Sequence, residues 1–189
     1  MSLSGKRVLV LGLGETGLSM ARWIARAGAV IRAADTRAAP PALAPLRAAL
    51  PHAEVVTGPF ADRLLEGVEL VAASPGVPIA SPIVQAALAR GLEVVGDIEL
   101  FGRFLARQPG ARVVAITGTN GKSTVTALAG SMCRAAGLDA QVAGNISPAV
   151  LTALMDRLDA GRLPEVWVLE LSSFSSRRRD PSPRTSRRS

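Results

Sequence analysis

Val8, Leu9, Val10 and Leu11 follow the charged pair Lys6-Arg7 without polar alternation, so Arg7–Leu11 predicts a strand buried on both faces. Thr16–Ala27 predicts a helix that Gly28 stops, and Val30–Ala34 predicts a second strand. Pro40 and Pro41 break the chain ahead of a helix near Ala42–Leu50. Glu54–Val56 and Val68–Ala73 predict further strands, Pro82–Arg90 a helix closed by Gly91, and Leu92–Val95 another strand. Strand and helix alternate throughout, which predicts an α/β fold: a mostly parallel, doubly wound sheet with helices on both faces.

The rhythm restarts after Gly96. Ile98–Ala106 predicts a connecting helix and residues 108–110 a loop, followed by a strand at Arg112–Thr117. Ser123–Ala136 predicts a helix whose Val125, Leu128, Ala129, Met132, Cys133 and Ala136 recur at helical spacing as one apolar stripe. Pro148–Asp159 predicts a helix and Val166–Leu171 a last strand. Asp97 and Glu99 are expected to cap and solvate the connecting helix, His52 to sit in a loop, and Trp23 and Trp167 to pack.

Composition narrows the class. Apolar residues make up 48% of the 189 positions, enough for a core, yet aromatic residues only 3%, so Ala, Val, Leu and Ile must fill it. No apolar run reaches the ~18 residues of a membrane helix, and no secretory segment opens the chain. The single cysteine, Cys133, rules out an intrachain disulfide framework and suits a reducing, cytoplasmic setting. Six Arg against one Asp in 175–189 account for five of the seven net positive charges, leaving +2 on residues 1–174. The body is thus nearly balanced and gives no reason to expect a nucleic-acid partner. A monomer is expected.

Two glycine loops carry the candidate chemistry. Gly12-Leu13-Gly14-Glu15-Thr16-Gly17 fits G-x-G-x-x-G between a strand and a helix, with Asp35 at the end of the next strand. Such a loop admits a ligand's phosphates to a helix N-terminus, and alone it fits an NAD-dependent oxidoreductase, another nucleotide-linked ligand or a structural turn. Gly118-Thr119-Asn120-Gly121-Lys122-Ser123-Thr124 ends in the Gly-Lys-Ser of a phosphate-binding P-loop, although Ile116 stands where the usual pattern has its first glycine. Backbone N–H groups would wrap the phosphates, Lys122 would supply positive charge as the candidate catalytic residue, and Ser123 would ligate Mg²⁺. A hydride-transfer enzyme has no use for this second loop.

Together these segments resemble the Mur ligase family, and within it the D-glutamate-adding member. The resemblance runs from about Lys6 to Phe174. It is carried by the loop at 12–17, Asp35-Thr36-Arg37, Ser74-Pro75-Gly76-Val77, Gly96-Asp97-Ile98-Glu99-Leu100-Phe101, Thr117–Thr124, Gly144-Asn145-Ile146 and Leu169-Glu170-Leu171-Ser172-Ser173-Phe174. Folylpolyglutamate synthases and other Mur ligases share the tight P-loop but generally lack the segments at 96–101 and 169–174. The resemblance implies an ATP-dependent acid–amino-acid ligase of peptidoglycan precursor synthesis. It joins D-glutamate to UDP-N-acetylmuramoyl-L-alanine through an acyl phosphate. Residues 1–96 would be a Rossmann-like, UDP-substrate-binding domain, and 97–174 the start of the central P-loop ATP-binding α/β domain. Glu15, Thr16, Asp35, Thr36 and Arg37 would line the uridine pocket, Ser74, Pro75 and Gly76 would flank the diphosphate, and Asn145 would touch the diphosphate or muramoyl part. Gly118–Thr124 would hold ATP, with Mg²⁺ on Ser123 and Glu170.

After Phe174 the resemblance stops. The family continues Gln-Leu-Glu-Thr, whereas this chain reads Ser175-Ser176-Arg177-Arg178 and goes on as a Ser, Arg and Pro tail that cannot bury a core and is expected to be disordered. Removing the first base of CAG-CTC-GAG-ACG gives AGC-TCG-AGA-CG, which encodes Ser-Ser-Arg-Arg, so a frameshift at codon 175 is expected. The chain is then a fragment without ligase activity, leaving a non-catalytic nucleotide-binding role as the alternative. Resequencing that codon tests the reading.

Overall fold

β1 (Arg7–Leu11) forms where the four apolar residues stand in a row, and Val8–Leu11 are wholly buried. In the computed structural model, which describes residues 3–172, β1 is the centre of a five-stranded parallel sheet. In chain order its other elements are α1 (Glu15–Arg26), β2 (Val30–Asp35), α2 (Leu43–Ala49), β3 (Glu54–Thr57), β4 (Leu70–Ala73), α3 (Pro82–Ala89) and β5 (Glu93–Val95). The strand order is β3-β2-β1-β4-β5. The order reverses between β1 and β4, which opens a crevice at their carboxyl ends, the usual ligand position in such sheets. The expected strand at Val68–Ala73 starts only at Leu70, because Val68 closes the turn that follows a 3-10 turn (Asp62–Leu65) by donating to the Leu65 carbonyl at 3.2 Å.

α4 (Asp97–Leu105) leads to a second parallel sheet made of β6 (Arg112–Ile116), β7 (Ala140–Gly144) and β8 (Val166–Glu170), in the order β6-β8-β7, with α5 (Lys122–Ala135) and α6 (Val150–Asp159). β7 was not expected. Its sequence, Ala-Gln-Val-Ala-Gly, has no apolar run, and it becomes a strand through its register with β8, Val142 opposite Val168.

The two sheets share a core. One cluster runs from Val8, Leu13, Met20 and Ile24 through Leu100 and Phe101 to Leu151, Leu154 and Trp167. Phe101 and Trp167 meet edge to face at 4.9 Å between ring centres, and Trp23 meets Phe104 at 5.5 Å, both favourable aromatic geometries. The other face of the first sheet has its own cluster, built from Leu9, Leu11, Val71, Ile83, Val84 and the 3-10 turn.

Two expectations fail. The apolar stripe of α5 is not a single buried face: Val125, Leu128 and Met132 are 51%, 58% and 63% exposed, while Thr126 and Gly130 are buried and Ala129 and Cys133 pack towards β8. The sheet accepts only small residues there, since a Cβ on Gly130 would come within 2.3 Å of the Val142 side chain. Asp97 is 6% exposed rather than solvated, because α4 begins where the sheets meet. Glu99 does face solvent and pairs with Arg103 at 3.0 Å. Ser173, Phe174 and the arginine tail lie outside the described residues.

Candidate functional site

The first glycine loop turns directly off β1. Gly12 has φ +85°, a conformation that favours glycine, and donates to the Ala34 carbonyl at 2.8 Å. Gly17 is required for a different reason: a Cβ there would lie 1.8 Å from the Gly12 carbonyl oxygen, so only glycine lets α1 approach the loop.

Asp35, at the end of β2, fixes the loop from the side. Its Oδ2 accepts from the Leu13 N–H at 2.6 Å and from Arg37 Nη2 at 2.6 Å; its Oδ1 accepts from the Arg37 N–H and Nε, each at 2.8 Å. The Arg37 side chain is the main reason that the Asp35 carboxyl lies well below the usual carboxylate range. Burial works against this, and the Leu13 and Arg37 N–H groups reinforce it.

Around this corner lies a cleft of about 650 Å³ at the carboxyl ends of the strands. Gly12, Gly14, Asp35, Thr36, Arg37, Ser74 and Gly76 line it, as do Phe60, Val77, Ser81 and Ile83. The last four were missed by sequence reasoning. Ser81 had a signal, the Ser-Pro that opens α3, and its buried Oγ has no hydrogen-bond partner among the described residues.

Thr16, Pro75 and Asn145 belong elsewhere. With Asp97, Ile98, Gly144, Glu170 and Ser172 they line a cavity of about 10 Å³ between the two sheets, roughly the space of one water. Glu15 lines neither cavity; its Oε1 accepts from Ser147 Oγ at 3.1 Å and from the Ala149 N–H at 2.9 Å.

The second glycine loop leaves β6 beside this small cavity. Ile116 is in register with Glu170, and the Leu171 N–H donates to the Ile116 carbonyl at 2.8 Å, so loop and carboxylate leave the sheet side by side. Gly118 and Gly121 have φ +153° and +72°. Lys122 Nζ donates to the Gly118 carbonyl at 2.9 Å, which holds its ammonium over the loop. No side chain caps the start of α5, whose first N–H groups are the natural partners of an anion. Ser123 and Thr124 are exposed there.

Glu170 is 3% exposed; its Oε1 accepts from Asn145 Nδ2 at 3.1 Å, and its Oε2 has no partner among the described residues. A buried carboxylate oxygen left over in this way fits a cation. Among the described residues no group of three or more His, Cys, Asp and Glu is placed to hold a metal; Asp97 is the acidic residue that shares the small cavity with Glu170.

Two parallel sheets, each sending a glycine loop from a strand's carboxyl end into a helix, define an α/β protein of the doubly wound class. The chain is similar to the Mur ligases: residues 6–96 match the family described as Mur ligase MurD-like, N-terminal domain. It is 57% identical over 176 residues to a UDP-N-acetylmuramoylalanine–D-glutamate ligase of Nitrosospira multiformis, covering 92% of this chain and 37% of that protein. A protein of the same name from Ralstonia nicotianae is 57% identical over 181 residues, covering 91% and 36%. The chain therefore spans little more than a third of the relatives it matches. Among solved structures, a UDP-N-acetylmuramate:L-alanyl-gamma-D-glutamyl-meso-diaminopimelate ligase from Neisseria meningitides aligns at 18% identity and a TM-score of 0.49, covering 89% of this chain and 52% of that one. Among the described residues no helix is long and apolar enough to cross a membrane.

Proposed function

We propose that this chain carries the UDP-substrate cleft and the ATP phosphate loop of a D-glutamate-adding ligase. The observation that carries the second half is the unpartnered Oε2 of buried Glu170 beside the Gly118–Thr124 loop. In this reading the large cleft receives the uridine diphosphate part of UDP-N-acetylmuramoyl-L-alanine. Thr36, Arg37 and Ser74 face it, and the Asp35 contacts keep the loop in shape. The first N–H groups of α5 and Lys122 hold the ATP phosphates.

Ser123 and Glu170 would hold Mg²⁺, with phosphate and water as its other ligands, as is usual for this ion. Mg²⁺ would neutralise charge on the phosphates. Lys122 would leave the Gly118 carbonyl for the phosphate oxygens. The domains follow the same division, 1–96 for the UDP substrate and 97–174 for ATP.

The names of the 57% identical relatives favour D-glutamate and UDP-N-acetylmuramoyl-L-alanine as substrates. Calorimetry with UDP-N-acetylmuramoyl-L-alanine and, separately, with ATP and Mg²⁺ tests the reading: two independent saturable sites support it, and no heat with either ligand ends it.

A further inference from the structure

Glu15 begins α1 directly after Gly14 of the large cleft, yet its carboxylate is spent elsewhere. Both of its donors, Ser147 Oγ at 3.1 Å and the Ala149 N–H at 2.9 Å, lie in the segment that joins β7 to α6. That segment is closed on itself by the Gly144 N–H, which donates to the Pro148 carbonyl at 3.2 Å. Its Asn145 donates twice to Glu170, from the backbone N–H to the carbonyl at 2.8 Å and from Nδ2 to Oε1 at 3.1 Å. Gly144, at φ +120°, is pressed so close that a Cβ would lie 2.3 Å from the Glu170 carbonyl oxygen. A continuous path therefore runs from Gly14 through Glu15, the 144–149 segment and Asn145 to the buried carboxylate beside the second loop. Thr16, one residue on, lines the small cavity together with Asn145 and Glu170.

We infer that Glu15 is a positioning residue: it ties the first glycine loop to the 144–149 segment, so that a nucleotide diphosphate in the large cleft orders this segment and, through Asn145, the Glu170 carboxylate. The ligand-dependent half rests on the two-site reading above; the tie itself does not. One carboxylate oxygen takes both donors, so an amide oxygen can replace it more weakly and alanine cannot replace it at all.

Hydrogen exchange of the full chain tests this, with UDP as the probe. Without ligand, Glu15→Ala should raise exchange about tenfold at Ala149 and across 144–149, the effect of losing about one hydrogen bond's worth of protection. Exchange in β1 and β4 should stay unchanged, and Glu15→Gln should fall between wild type and alanine. UDP should slow exchange across 144–149 in the wild type and not in Glu15→Ala, although the variant still binds UDP.

Unchanged exchange at 144–149 in Glu15→Ala would overturn the tie, and undiminished UDP protection there would overturn the coupling. If Glu15→Ala exchanges everywhere because it fails to fold, Ser147→Ala removes only one of the two bonds. It must then give a smaller rise confined to the same segment, and a rise elsewhere instead would overturn the inference. Failure of UDP to bind the wild type would end the nucleotide reading, and with it the coupling, while the ligand-free comparison would still decide whether Glu15 holds the segment.

Discussion

Asp35 Oδ2 accepts from the backbone N–H of Leu13 at 2.6 Å, across 22 residues of sequence, and so closes the first glycine loop against the end of the neighbouring strand. The same carboxylate takes three further hydrogen bonds from Arg37. Asp35→Asn keeps the shape but loses the charge-assisted character and turns one acceptor into a donor. It should cost about 2 kcal/mol at neutral pH, read by urea denaturation.

The acid limb of stability should show the same group. The folded chain holds the Asp35 carboxyl below its ordinary range, so the folded state binds this proton less readily than the unfolded one. The stabilisation is complete above the ordinary Asp value of about 3.9 and is lost as pH falls towards the lower folded value. The melting temperature of the wild type should therefore fall more steeply below about pH 4 than that of Asp35→Asn. Parallel profiles for the two would contradict this.

Gly17→Ala should be far more damaging than its single methyl suggests. The new Cβ would meet a backbone oxygen, which cannot rotate away. Loss of 3 kcal/mol or more is expected, within the range of severe overpacking, with UDP binding lost through displacement of α1. Denaturation and calorimetry on the same preparation measure both.

Glu170→Gln should separate stability from function. It removes a buried carboxylate with one unpartnered oxygen and keeps an acceptor for Asn145. The melting temperature should stay level or rise by a few degrees, whereas Mg²⁺ should no longer strengthen ATP binding. Lys122→Ala should instead weaken ATP binding with or without Mg²⁺ and leave UDP binding intact.

The outer face of α5 offers a test of the misread stripe. Leu128 and Met132 are more than half exposed, so Leu128→Lys with Met132→Lys should leave the melting temperature nearly unchanged and reduce binding of a hydrophobic dye. A large drop in stability would mean that the stripe is buried after all.

That stripe shows why some features were legible in the sequence and others were not. Helical spacing identified α5 correctly, but spacing cannot say which side meets a sheet. The sheet chose the side with Gly130 and Thr126 because the larger residues do not fit. β1 could be read outright, since four apolar residues in a row have one burial solution. β7 could not, because Ala140–Gly144 is a strand only through its partner. For the site, the two glycine loops and Asp35 could be singled out from residue type and position, and Glu170 only through the family resemblance. Phe60 and Ile83 reach the cleft only through the folding of the chain between β3 and α3, and the partners of Glu15 lie more than 130 residues away.

The family match ends at residue 96, but the cluster that joins Leu13, Met20 and Ile24 to Phe101, Leu151 and Trp167 does not. The end of a domain match is therefore not a boundary of cooperativity in this chain. Cutting at 96 would strip α1 of its apolar cover and leave a piece that is recognisable by ancestry yet prone to clump. The described residues should instead melt in a single calorimetric transition, and any attempt to borrow the first sheet as a portable module would have to carry α4 and α6 along or resurface the helix they shield.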